Sequence, residues 1–122
     1  MDLMAMILIA DDEPDIRRLL TLVLRSAGHQ TMAAANGLEA VALFRSYADS
    51  IDLVITDLTM PVMDGYQAIQ RIRQSRPGTK IICMSGYSEQ PVDGAMLFLN
   101  KPFLPQDLLT AVGKLVGAPG GI

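Results

Sequence analysis

The sequence holds one cysteine and one histidine in 122 residues. Cys83 has no partner for an internal disulfide, and its apolar surroundings predict a buried free thiol in a reducing compartment. His29 follows Gly28 and reads as a loop residue with no catalytic role. With no His or Cys cluster, a zinc site is excluded. Positive charge is also scarce. Ten Lys and Arg against thirteen Asp and Glu leave a net charge of −3 and a pI near 4.9, which provides no nucleic-acid surface. No apolar run approaches the ~20 residues of a membrane span. The opening MDLMAMILIADD lacks the basic start of a secretory signal, and two aspartates stop its apolar run, so a cytoplasmic protein is expected. There is no GxxxxGK[ST] loop for a nucleotide, and there are no internal repeats or low-complexity blocks.

Half of the residues are hydrophobic and 19% are charged, as in a compact domain with a real core. One domain over 1–122 is expected, with 117–122 (GAPGGI) a frayed tail. Met4 to Ala10 reads as a first strand. Pro14 opens a helix with Ile16, Leu19, Leu20, Val23 and Leu24 inward, stopped at Gly28. Gln30 to Ala34 is a weaker strand and Asn36-Gly37 a turn. A second helix follows, with Leu38, Val41, Ala42 and Arg45 marking its stripe. Leu53 to Thr56 is a third strand, Gly65 to Ser75 a helix, Lys80 to Met84 a fourth strand and Met96 to Leu99 a short fifth. Pro105 opens a last helix with Leu108, Leu109, Val112, Leu115 and Val116 inward. Strands alternating with helices predict an α/β fold, a parallel sheet covered on both faces.

The strands end on polar residues: Asp11-Asp12, Asp57, Ser85 and Lys101. In a parallel sheet these ends share one edge, where open α/β sheets bind their ligands. Asp57 alone would pass for a turn cap; the other three ends change its meaning. Three carboxylates in one crevice repel each other unless some are protonated or a cation joins them. An all-oxygen site with room for water suits Mg²⁺ (or Mn²⁺). With the Lys101 ammonium and the Ser85 hydroxyl, it is equipped for phosphoryl transfer to a carboxylate.

The acidic pair Asp11-Asp12, Asp57 in TDLTMPVMDG, Ser85 and Lys101-Pro102-Phe103 closely resemble the receiver domain of bacterial two-component response regulators, along essentially the whole chain. The resemblance implies a flavodoxin-like, doubly wound, five-stranded sheet of order 2-1-3-4-5. It implies a regulatory phosphoprotein, not a turnover enzyme, that catalyses its own phosphorylation and dephosphorylation. Asp57 would take phosphate from a sensor histidine kinase or histidine phosphotransfer protein. Asp12 would bind Mg²⁺ directly and Asp11 through water, with Asp57 and the Thr59 backbone carbonyl completing the protein ligands. Lys101 would contact the phosphoryl group, and the Lys101–Pro102 bond would be cis. Ser85 and Phe98 would form the switch, although ordinary strand packing also accounts for Phe98. The competing reading is a small Mg²⁺-dependent phosphohydrolase using an aspartyl-phosphate. Thr59 stands where that class needs a second Asp, and no cap domain fits.

One stretch departs from the pattern. Only the ten residues Gly86 to Ala95 separate Ser85 from the fifth strand, at the lower limit for a helical crossover of ~10–12 residues. Pro91 and Gly94 oppose a helix as well. The fourth helix of the family is therefore predicted missing or cut to about one turn, and dimerisation through its usual face is not expected. Tyr87 is a candidate shield of the phosphate, or plain loop packing. Leu22, beside Arg18 and Arg25, is a candidate docking contact for a helical phosphodonor.

Overall fold

The computed structural model describes residues 5–86 and 92–116. Five strands form one parallel sheet: β1 (Met6–Ala10), β2 (Gln30–Ala34), β3 (Leu53–Asp57), β4 (Lys80–Ser85) and β5 (Leu97–Asn100). Their order across the sheet is β2-β1-β3-β4-β5. Among the described residues four helices cover it: α1 (Pro14–Ser26), α2 (Gly37–Tyr47), α3 (Gly65–Ser75) and α4 (Pro105–Val116). This is the flavodoxin-like architecture expected from the sequence. β5 starts one residue later than expected; Tyr87 and the 117–122 tail lie outside the described residues.

The strands read as unbroken apolar runs because both faces of the sheet are buried. Leu8, Val54, Ile81 and Cys83 point to the α2/α3 side, and Ile7, Ile9, Leu53, Ile55, Ile82 and Met84 to the α1/α4 side. Cys83 is a buried free thiol, and burial pushes its pKa up to about 11. No helix lies between β4 and β5 among the described residues; Val92 to Ala95 make a turn. Five residues remain between Gly86 and Val92, too few for three helical turns.

Three expectations need correction. The buried face of α2 is Gly37, Ala40, Val41 and Phe44, while Leu38 is 53% exposed and Ala42 and Arg45 face solvent. Asn36 is the N-cap of α2, its side chain accepting from Glu39 N–H at 2.9 Å. Gly37 then packs on the β3–α3 loop so closely that a Cβ would lie 2.3 Å from the Met63 carbonyl oxygen. Only a small residue fits there, so the stripe starts at Gly37 and leaves Leu38 outside. On α1, Leu19 is 41% exposed instead of inward.

The third correction is His29, which is buried and not a free loop residue. Its Nδ1 accepts the Ala5 N–H at 3.2 Å. Nε2 therefore carries the proton in the neutral ring, and it has no hydrogen-bond partner among the described residues. Burial lowers the His29 pKa from its usual 6.5. Below that value the unfolded chain takes up a proton that the folded one resists, so stability is full above pH 6.5 and declines as pH falls. Urea unfolding between pH 6.5 and 5.5 is expected to lose up to about 1 kcal/mol per pH unit, a slope that His29→Gln should flatten. An equal slope in the variant would assign the titration elsewhere.

A strained turn also sits beside the sheet edge. Val62 takes φ 70°, a region where a β-branched residue costs about 1–2 kcal/mol. It is 76% exposed, so no apolar packing offsets that cost.

Candidate functional site

The sheet brings four chain segments to its C-terminal edge. β1 hands over to Asp11, which is fully buried, and to exposed Asp12; β3 ends on Asp57, 6% exposed. One ligand atom from each of these three carboxylates lies within 4.8 Å of the others. From the far end of the chain, Lys101 Nζ donates to Asp57 Oδ2 at 2.6 Å and to Asp11 Oδ2 at 2.8 Å.

The electrostatics follow from this packing. Burial raises the Asp11 pKa, against the lowering effect of its bond to Lys101 and of the Glu13 N–H that donates to Oδ1 at 2.9 Å. For Lys101, burial alone would lower the pKa, but the bonds to Asp11 and Asp57 outweigh it and hold the ammonium well above its usual range. The lysine thus stays a full positive charge among carboxylates. Hard oxygen donors grouped this closely fit a divalent cation.

The remaining predicted residues lie around this centre. Thr59 lines the cavity, and its backbone N–H donates to Asp57 Oδ1 at 3.1 Å. Ser85 is buried at the end of β4, and its carbonyl accepts the Lys101 N–H at 2.9 Å. The Lys101–Pro102 bond is cis, as the resemblance implied. Phe98 is half-buried, in register with Cys83, and packs on the α2/α3 side.

Two contributors escaped sequence reading. Glu13 Oε1 lies 3.6 Å from Lys101 Nζ, and Arg17 Nη1 donates to the Asp11 carbonyl at 2.7 Å. The run of three acids hinted at Glu13; nothing in the sequence tied Arg17 to the Asp11 backbone. The cavity over the site measures about 560 Å³. Asp12, Glu13, Asp57 and Lys101 make its charged floor, and Ile16, Leu19, Pro102 and Phe103 an apolar wall. A carboxylate at a strand end, further carboxylates that fit a cation and an ammonium are the groups that phosphoryl transfer to a carboxylate requires.

Comparison with known proteins agrees. The family model for the response regulator receiver domain matches residues 7–113. Sporulation initiation phosphotransferase F of Bacillus subtilis is 35% identical over 114 residues, covering 88% of this chain and 90% of that protein. Sensor kinase CckA of Brucella abortus is 33% identical over 118 residues, covering 92% of this chain but 12% of the kinase. The chain therefore spans a small part of some relatives and nearly all of others. Among solved structures, a CheX–CheY–BeF₃–Mg²⁺ complex from Borrelia burgdorferi superposes with a TM-score of 0.86 at 32% identity, covering 90% of this chain and 87% of that one. No helix among the described residues is long and apolar enough to cross a membrane. With its strand-end carboxylates, lysine and sheet order, the chain belongs to the response regulator receiver domains, the phospho-accepting regulatory modules of two-component signal transduction.

Proposed function

We propose that Asp57 is the phospho-acceptor and that the chain, as one cytoplasmic receiver unit, catalyses its own phosphorylation and dephosphorylation. The observation that carries this reading is Lys101 Nζ bridging Asp57 and Asp11 at 2.6 and 2.8 Å. A carboxylate oxygen of Asp57 attacks phosphorus, a new O–P bond forms, and the P–N bond of a phosphohistidine breaks with its electron pair returning to the imidazole. Lys101 donates to the phosphoryl oxygens, offsetting charge that builds during transfer. Mg²⁺, held by Asp11, Asp12, Asp57 and the Thr59 carbonyl, would supply further positive charge. Ser85 and Phe98 are the proposed switch pair. The test is acetyl phosphate with Mg²⁺, read by intact mass. One phosphoryl group per chain is expected; repeated turnover of phosphate esters would overturn the reading.

The donor is a sensor histidine kinase or phosphotransfer protein, and it docks on the apolar side of the cavity. Leu22 supports this: it is 65% exposed and stands one turn beyond Leu19, on the same side of α1. Leu22→Asp is expected to slow transfer from a phosphohistidine donor about tenfold, the loss of roughly 1.4 kcal/mol at a contact. Transfer from acetyl phosphate should be unchanged. Equal slowing with both donors would exclude docking at Leu22. Dimerisation through the usual fourth-helix face is not proposed, because that face lacks its helix among the described residues.

A further inference from the structure

Among the described residues, the chain just ahead of β5 makes a tight turn. Ala95 N–H donates to the Val92 carbonyl at 3.0 Å, and Gly94 takes φ 94°, a value glycine adopts without steric penalty. The turn lies backbone-first on α3. A Cβ at Gly94 would stand 2.6 Å from Arg73 Cδ and 2.9 Å from Ile69 Cγ2. Arg73 Nη1 donates to the Gly94 carbonyl at 3.3 Å, long for an N–H···O bond and correspondingly easy to break. Val92 and Ala95 pack against the α2/α3 core beside half-buried Phe98.

The same turn leads directly into β5. Met96 N–H donates to the Ile81 carbonyl at 2.7 Å, and the four residues of β5 pair with β4 alone. The next residue is Lys101, whose ammonium holds Asp57 and Asp11. One short edge strand is thus anchored at one end by the site and at the other by the contact with α3.

We propose that the Arg73–Gly94 contact is a strap coupled through β5 to Lys101, closed while Lys101 holds the Asp57 carboxylate and opened when Asp57 carries a phosphoryl group. The inference rests on Asp57 being the acceptor. Phosphorylation converts the carboxylate that Lys101 grips into an acyl phosphate and places new anionic oxygens beyond it. Lys101 follows that charge and draws on β5. Of the two anchors at the turn end, the 3.3 Å bond to Arg73 is the longer and yields before the 2.7 Å sheet bond of Met96. Coupling is reciprocal, so loosening the strap must favour the phosphorylated arrangement.

Beryllofluoride, a stable tetrahedral mimic of a phosphoryl group on a carboxylate, supplies the test. Saturating the wild type with Mg²⁺ and beryllofluoride is expected to speed amide exchange in peptides spanning 92–96. Arg73→Met should speed it without ligand and tighten beryllofluoride binding about fivefold, the low end of the usual coupling between two sites, as suits a single long hydrogen bond. Arg73→Lys, which keeps a donor, should stay close to the wild type, and Gly94→Ala should shift affinity in the same direction as Arg73→Met. Unchanged exchange on saturation, or equal affinity in Arg73→Met, overturns the strap and leaves the acceptor reading intact. Binding that survives Asp57→Asn overturns the acceptor reading, and the strap with it.

Discussion

Asp57→Asn is expected to take up no phosphate from acetyl phosphate and Mg²⁺, while the wild type gains one phosphoryl group per chain by intact mass. Transfer needs an anionic oxygen, and a neutral amide of nearly the same shape has none. The fold should persist, because Lys101 keeps its 2.8 Å bond to buried Asp11 and the amide oxygen at position 57 can still accept from it. Exchanging a charged acceptor for a neutral one should cost about 1 kcal/mol. Activity and stability therefore part company: phosphate uptake vanishes, yet a cooperative melt remains. Phosphate appearing on the variant would move the acceptor to another carboxylate, with exposed Asp12 the first candidate.

Gly65→Ala should instead strike the fold. A Cβ there would lie 2.1 Å from the Asp57 carbonyl oxygen and 2.7 Å from Leu58 Cα. Both are backbone atoms, so no side-chain rotation relieves the clash, and the loop that carries Asp57 must shift. The Gly65 N–H also donates to the Leu58 carbonyl at 3.0 Å, and that bond would have to give. The expected loss is about 3 kcal/mol or more, a fall in Tm on the order of 10 °C. Gly78→Ala is the control. Nothing stands within 4 Å of a Cβ at that position, so its Tm should hardly change. A Gly65→Ala protein melting with the wild type would mean that α3 can back away from the loop without loss.

Much of the fold was legible in the chain because the signals are local. Apolar runs of strand length gave β1 to β5 within a residue or so, and Gly28 ended α1 as a left-handed stop with φ 97°. That the fourth helix would be missing or cut to about one turn was legible in ten residues bearing Pro91 and Gly94, and among the described residues no helix lies between β4 and β5. Asp11, Asp12, Asp57 and Lys101 could be grouped because parallel strands deliver their ends to one edge whatever the packing details.

What lay out of reach depended on partners far along the chain. The face of α2 was misplaced because a contact between Gly37 and the Met63 carbonyl, not the stripe of large residues, sets its rotation. His29 looked like a loop residue until Ala5, 24 positions away, was seen donating to its ring. By itself the sequence determined which groups end each strand, since backbone propensity and hydrophobic period act over neighbouring residues. Only the tertiary structure decided what those groups touch: Lys101 on Asp11 across 90 residues, and the Gly94 turn on Arg73. Such contacts are set by how helices pack on the sheet, and no local pattern carries that distance.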